Sequence, residues 1–150
     1  MAPPPSRRRF SRDFLRVADA NLNRAREGLR VCEEAARFVL LNTSLTRRCQ
    51  RLRYRLTRLS EALPLQGLLA SRDSVRDIGS PGRRGPLRAH RATADLLLAN
   101  LRRVEESLRV LEEFSRFLSV SKAREFGELR FEVYRLEQAF LSKRTALRDR

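Results

Sequence analysis

Four charged side chains fall within the stretch SRDSVRDIG at 71–79: Arg72, Asp73, Arg76 and Asp77. Guanidinium groups at such spacing can hold phosphate oxygens through paired hydrogen bonds. The two carboxylates can coordinate a hard cation such as Mg2+, or cap turns of the chain. A second group of polar residues occurs in duplicate. Asn21, Arg24 and Glu27 recur as Asn100, Arg103 and Glu106 at an offset of 79. If Arg24, Arg103, Arg72 and Asp73 converge, they form a cationic pocket with a carboxylate, suited to a phosphorylated small molecule and Mg2+. The alternatives are turn caps for the aspartates, surface ion pairs for the arginines and a solvated linker for the whole 71–86 segment.

Familiar catalytic signatures are missing. The sequence has no GxxxxGK[ST] loop, no GxGxxG, no HExxH and no Gly-x-Ser-x-Gly. The single histidine, His90, has no evident partner. Cys32 and Cys49 are the only cysteines, too few for a metal site, and read as buried reduced thiols.

Two kinds of helix must position these groups. Residues 20–38, ANLNRAREGLRVCEEAARF, match residues 99–117, ANLRRVEESLRVLEEFSRF, at twelve of nineteen positions. Polar residues are kept along with apolar ones, which core packing alone would not require. At 100° per residue Leu22, Ala25, Leu29, Cys32 and Ala36 share one face. Asn21 and Asn100 fall in the middle of the apolar face of their copies. Each is either bonded to neighbouring backbone or part of a paired polar site where the repeats meet. Arg30, Glu33 and Arg37 are placed opposite the apolar stripe.

A second helix is repeated too: LRYRLTRLSEAL at 52–63 corresponds to LRFEVYRLEQAF at 129–140, offset by 77. The expected fold is therefore all-α, a duplicated helical hairpin forming a four-helix bundle-like domain, with a long polar loop between the repeats. Hairpin 1 is expected over about 12–63 and hairpin 2 over about 91–141, with the loop at 64–90. Ser11 and Asp13 mark the first helix start, Ser44 is the expected cap of the second helix, and Pro64 lies at that helix's end. Residues 1–10 are expected to be a disordered tail, 80–88 a mobile flap and 142–150 a basic tail.

At 41% apolar and 34% charged residues, the chain has the composition of a soluble domain with a real core. No apolar run reaches membrane-spanning length, and the start has no signal-peptide character, so a cytoplasmic protein is expected. The net charge of +15 raises nucleic acid as a partner. The distribution argues against it: residues 1–16 and 72–91 each carry +4, so much of the excess sits in a tail and a loop, and no aromatics alternate with arginine as a stacking platform.

DANLNRAREGLRVCEEAARF, SRDSVRDIG, ANLRRVEESLRVLEEF and LRFEVYRLE, in that order, resemble the hydroxymethylpyrimidine phosphate kinase domain of the monofunctional type, often fused N-terminal to thiamine-phosphate synthase. The resemblance covers about residues 15–141. It implies an all-helical phosphomethylpyrimidine kinase using ATP and Mg2+, converting 4-amino-5-hydroxymethyl-2-methylpyrimidine phosphate to the diphosphate in thiamine biosynthesis. From the matching motifs it carries over Asp19, Asn21, Arg24, Glu27, Arg30, Glu34, Arg72, Asp73, Asp77, Asn100, Arg103, Glu106, Arg109 and Glu113. Phosphoryl transfer rests on positioning and charge stabilisation. On that reading Asp73 and Asp77 hold the metal, Arg24, Arg72 and Arg103 hold phosphates, and Asn21 and Asn100 read the pyrimidine ring. Glu27, Glu106 and Asp73 are then the catalytic candidates. No synthase barrel follows residue 141, so a stand-alone or split version is expected, with thiamine-phosphate synthase or a second copy as protein partners. The alternative is a non-catalytic helical domain that binds or regulates thiamine-phosphate synthase. A basic nucleic-acid binder is the third reading.

Overall fold

The computed structural model describes residues 10–79 and 87–143. Of the expected tail over 1–10, flap over 80–88 and basic tail over 142–150, residues 1–9, 80–86 and 144–150 lie outside the described residues. Helices α1 (Arg12–Glu34), α2 (Thr43–Ser60), α3 (Leu65–Ser71), α4 (Thr93–Ser115) and α5 (Val120–Leu141) carry the fold, which is all-helical. Among the described residues no helix is long and apolar enough to cross a membrane.

Ser11 caps α1, its hydroxyl accepting from the Phe14 amide at 3.1 Å. The helix does not continue in α form to Leu41. It passes at Ala35–Val39 into a π-helical turn, where the Leu40 amide reaches the Ala35 carbonyl. Leu41 then takes a positive φ of 51°. The two residues by which the repeat offsets differ are absorbed here, since the second hairpin closes with a plain turn between Ser115 and Val120. α2 is capped by Asn42 rather than Ser44: the Asn42 side chain accepts from the Leu45 amide at 2.9 Å. Asp95 supports the start of α4 by accepting from the backbone amides of Arg91 and Ala92.

The helices form a square. α1 pairs with α2 and α4 with α5 as hairpins, while α1 packs on α4 and α2 on α5; α3 lies against α1. α1 and α4 run antiparallel, because Gly28 abuts Asn100 and Val104 while Ala20 and Asn23 share a cavity with Ser107 and Val110. A pseudo-two-fold axis therefore passes between the repeats. The retained polar residues obey it. Glu33 pairs with Arg53 at 2.6 Å, and its counterpart Glu112 pairs with Arg130 at 2.8 Å. Arg30 bridges Glu33 and Glu34 as Arg109 bridges Glu112 and Glu113. Glu33 thus sits 1% exposed between α1 and α2, not on the outer face that its helical position suggested. A carboxylate there needs partners on the facing helix, and Arg53 and Gln50 supply them.

Cys32 and Cys49 are buried free thiols. Burial, reinforced by the nearby Glu33 carboxylate, pushes Cys49 up to about 12, and burial raises Cys32 as well, so both are inert neutral side chains.

Glu105 behaves differently. Its burial, followed by hydrogen bonding with Glu137 and that group's charge, raises it to about 8. Its Oε1 is buried without a hydrogen-bond partner. Between its unfolded and folded values the folded chain holds a proton that the unfolded chain has lost, which opposes folding more with each rise in pH. Thermal stability should therefore step down as pH rises from about 4.5 to about 8 and level off above that. Glu105→Gln should flatten that step in pH-dependent melting curves. An unchanged step in the variant would assign it to another group.

Candidate functional site

The outward face of the first half of α1 and the segment after α3 enclose a cavity of about 500 Å³. Arg16, Asn23 and Arg24 line it from α1; Arg72, Asp73 and Asp77 line it from the segment. Positions 16, 20, 23 and 27 follow one helical stripe, so α1 alone sets the spacing of its groups. α3 then carries the chain back to α1, and Arg72 is fixed there by Asp19. Its Nε and Nη2 donate to the two Asp19 carboxylate oxygens, both at 2.8 Å. This side-on pair leaves Nη1 free for a ligand. Asp19, 8% exposed, keeps the guanidinium well above its ordinary value, chiefly by that hydrogen bonding.

Asp73 and Asp77 serve the loop. Asp73 Oδ1 accepts from the Arg76 amide at 3.1 Å, and Asp77 Oδ1 accepts from the Gly79 amide at 2.9 Å. Among the described residues no group of three or more His, Cys, Asp or Glu side chains is arranged to hold a metal ion. Asp73 and Asp77 thus each cap a turn of the loop through Oδ1. The cavity is also not simply cationic. Its arginines, Arg16, Arg24 and Arg72, are interspersed with Asp13, Asp19, Asp73 and Asp77. With Asp19 neutralised by Arg72 and Asp73 beside Arg76, Arg16 and Arg24 face Asp13 and Asp77, none of the four in an ion pair among the described residues, Asp77 keeping one oxygen on the Gly79 amide. Such a surface suits a ligand that carries an anion and hydrogen-bond donors together.

A second cavity, of about 490 Å³, shares Asn21, Asn23 and Arg24 with the first. It lies at the pseudo-two-fold axis and is lined by Glu27, Arg103, Glu106 and Ser107. Arg103 therefore does not join Arg72 and Asp73; Arg24 stands between the two sets. Arg24, Glu27, Arg103 and Glu106 make no ion pair among the described residues, unlike Arg30, Glu34, Arg109 and Glu113, which are tied up on the helix surface. The asparagines divide as well. Asn21 donates to the Val17 carbonyl at 2.9 Å and lines both cavities. Asn100 donates to the Leu96 carbonyl at 2.8 Å and lines neither; its own carbonyl supports the Gly28 crossing. Both side-chain amino groups thus donate to the backbone one turn back. His90 is exposed.

Asp13, Arg16 and Asn23 are cavity residues that sequence reasoning passed over. Arg16 and Asn23 have no like counterpart in the second repeat, where Asp95 and Arg102 stand, so duplication gave no signal. The helical stripe running from Arg24 back toward the N-terminus was the available one.

The model of the ThiD2 family matches residues 16–139. Among curated relatives, the thiamine-phosphate synthase of Synechocystis sp. (strain ATCC 27184 / PCC 6803 / Kazusa) is 40% identical over 135 residues, which are 90% of this chain and 38% of the relative. That of Nostoc punctiforme is 41% identical over 122 residues, 81% of this chain and 34% of the relative. That of Synechococcus sp. (strain CC9605) is 37% identical over 151 residues, 100% of this chain and 42% of the relative. The chain thus spans well under half the length of these relatives. No solved structure matches. These findings correct the kinase reading: the relatives bear the name of the synthase, and none of these three bears that of a kinase. The likeness is to a portion of thiamine-phosphate synthases, not to a kinase domain joined to one.

Proposed function

Since this chain belongs to the ThiD2 family, we propose that it is a non-catalytic helical domain that works with thiamine-phosphate synthase and holds a phosphorylated pyrimidine of that pathway. The observation that carries the reading is the Arg72–Asp19 clamp at the wall of a mixed-charge cavity. Arg72 Nη1, Arg16 and Arg24 would take the phosphate. The Asp13 and Asp77 carboxylates would accept from the exocyclic amino group. The names of the relatives supply the pathway, and their greater length leaves room for a separate catalytic part.

Calorimetric titration with 4-amino-5-hydroxymethyl-2-methylpyrimidine phosphate, its unphosphorylated form and ATP·Mg2+ tests the site. The pyrimidine phosphate should bind best. Arg72→Ala should weaken it by about 10–100-fold, the effect of losing a charge-assisted phosphate contact. Asp19→Asn, which frees the guanidinium without removing it, should weaken it less. Equal affinity for the phosphorylated and unphosphorylated compounds would reject the site. Addition of the chain to a thiamine-phosphate synthase assay at limiting pyrimidine substrate should raise the rate of product formation, and Arg72→Ala should abolish that gain.

A further inference from the structure

The second helices of the two hairpins differ from each other in one systematic respect. At the 77-residue offset, Arg48, Arg51 and Arg55 of α2 correspond to Glu125, Glu128 and Glu132 of α5. Three charges spaced i, i+3, i+7 form one stripe of a helix, and the whole stripe is inverted in sign. Neighbouring positions are not: Arg47, Arg53 and Arg58 match Arg124, Arg130 and Arg135.

Among the described residues only the last pair of the stripe, Arg55 and Glu132, meets between the two helices. Arg55 Nη1 contacts Glu132 Oε1 across the pseudo-two-fold axis. Because equivalent positions meet there, α2 and α5 run antiparallel, and the rest of the stripe separates. Arg48 and Arg51 go to one end of the face, where with Arg135, Leu52 and Glu132, itself paired to Arg55, they line a hollow of about 160 Å³. Glu125 and Glu128 go to the other end, where Glu128 lines a separate hollow with Glu112 and Arg124. Among the described residues Arg48, Arg51, Arg135 and Glu128 make no ion pair, and Glu125 has only the adjacent Lys122. The outer surface also carries Tyr54 and Phe131, again repeat equivalents, 72% and 56% exposed.

A face with arginines at one end and glutamates at the other is complementary to itself when turned over. A two-fold axis lying in the plane of the face, oblique to the helices, places each basic end on the acidic end of a second copy. Both ends are then matched at once, as an isologous contact requires. We propose that the α2/α5 face joins two copies of this chain, the Glu128 carboxylate of each copy entering the arginine hollow of the other. The hollow is of a size for a carboxylate, and Tyr54 and Phe131 contribute flat apolar area at the flanks. α2 is 18 residues, about 27 Å long, and two helices present a face about 20 Å wide. That buries roughly 1,100 Å² in total, at the low end for specific contacts. The association is therefore weak, charge-dependent and sensitive to salt.

Sedimentation velocity of the full chain over a concentration series tests this with charge swaps. The wild type should dimerise at low salt and dissociate at about 1 M salt, where the screening length is about 3 Å. Arg51→Glu alone brings like charges together at both ends, as does Glu128→Arg alone. Each should weaken dimerisation by at least about tenfold. Mixed in equal amounts, the two variants face each other with opposite charges at both ends, and dimers should return. Circular dichroism confirms that each variant is folded. Three results would overturn the proposal: a monomeric wild type at every concentration in low salt, dimers unaffected by either single swap, or a mixture that stays monomeric. Inorganic phosphate binding at Arg48 and Arg51 of a monomer would instead make the hollow an anion site and likewise defeat it. The clamp cavity takes no part in this test, so the outcome is independent of pyrimidine phosphate binding.

Discussion

Replacing Arg53 by leucine should lower the unfolding free energy by about 2–3 kcal/mol, a drop of roughly 5–10 °C in melting temperature for a domain of this size. The reason is what remains behind. Glu33 is 1% exposed, and Arg53 Nε is its nearest cation at 2.6 Å. Gln50 at 3.3 Å and Arg30 at 3.4 Å keep some hydrogen bonding, which holds the loss below the full cost of an unpaired buried charge. The second variant of the cycle is the informative one. Glu33→Gln combined with Arg53→Leu removes the charge along with its partner and should recover at least about 1 kcal/mol of that loss. Denaturant titration of the two single variants and the double variant measures it. If the double variant loses the sum of the singles, the pair is not coupled and the account of the buried carboxylate fails.

The second hairpin meets the same need by another route. Gly127 stands where hairpin 1 has Gln50, and a Cβ there would lie 2.9 Å from Glu112 Oε1. Arg130 comes in close, donating from both Nε and Nη2 to Glu112 Oε2. One hairpin thus adds an amide to the carboxylate, while the other clears space for it.

The other large effect is expected at the α1/α4 crossing. A Cβ on Gly28 would lie 2.6 Å from Val104 Cγ2 and 3.0 Å from the Asn100 carbonyl oxygen. Gly28→Ser should cost about 2 kcal/mol: overpacking of about 1–3 kcal/mol outweighs the better helix propensity, worth only a few tenths of a kcal/mol for serine over glycine. The opposite side of the pseudo-two-fold shows how the contact can be relieved. Ser107 is the equivalent of Gly28, and Ala25 is the equivalent of Val104. A larger residue on one helix is matched by a smaller one on the other. Gly28→Ser with Val104→Ala should therefore be less destabilised than the sum of the singles by about 1 kcal/mol or more. Additive losses would mean that the backbone contact with Asn100, and not the Val104 methyl, sets the spacing.

Duplication in the sequence was enough to give the helical hairpins and their pairing. Two amphipathic helices with retained apolar faces have few ways to bury them, and copying the unit leaves a four-helix arrangement. The ordered motifs along the chain led to a kinase domain, a reading that the synthase names of the relatives correct. The purpose of the repeated charges was not readable there. Periodicity placed Glu33 with Arg30 and Arg37 on the outer side, yet it is buried, because α2 closes over that edge of α1 and brings Arg53 from twenty positions away. Sequence spacing reports which residues share a helix face, and not which faces another helix will cover.

The site divides in the same way. Arg24, Arg72 and Asp73 are near one cavity because α3 folds the chain back on α1, and Asp19 fixes Arg72 across 53 positions. Arg103 was grouped with them on its chemistry, but the antiparallel crossing of α1 and α4 puts it at the axis instead, beside Glu27 and Glu106. Asp73 and Asp77 had the residue types for a metal, and in the fold each gives one oxygen to a backbone amide of the loop. The helices, their duplication and the stock of charged groups follow from local periodicity and composition. Which charges neutralise each other, and which are left facing a cavity, follows from distances between helices far apart in the chain.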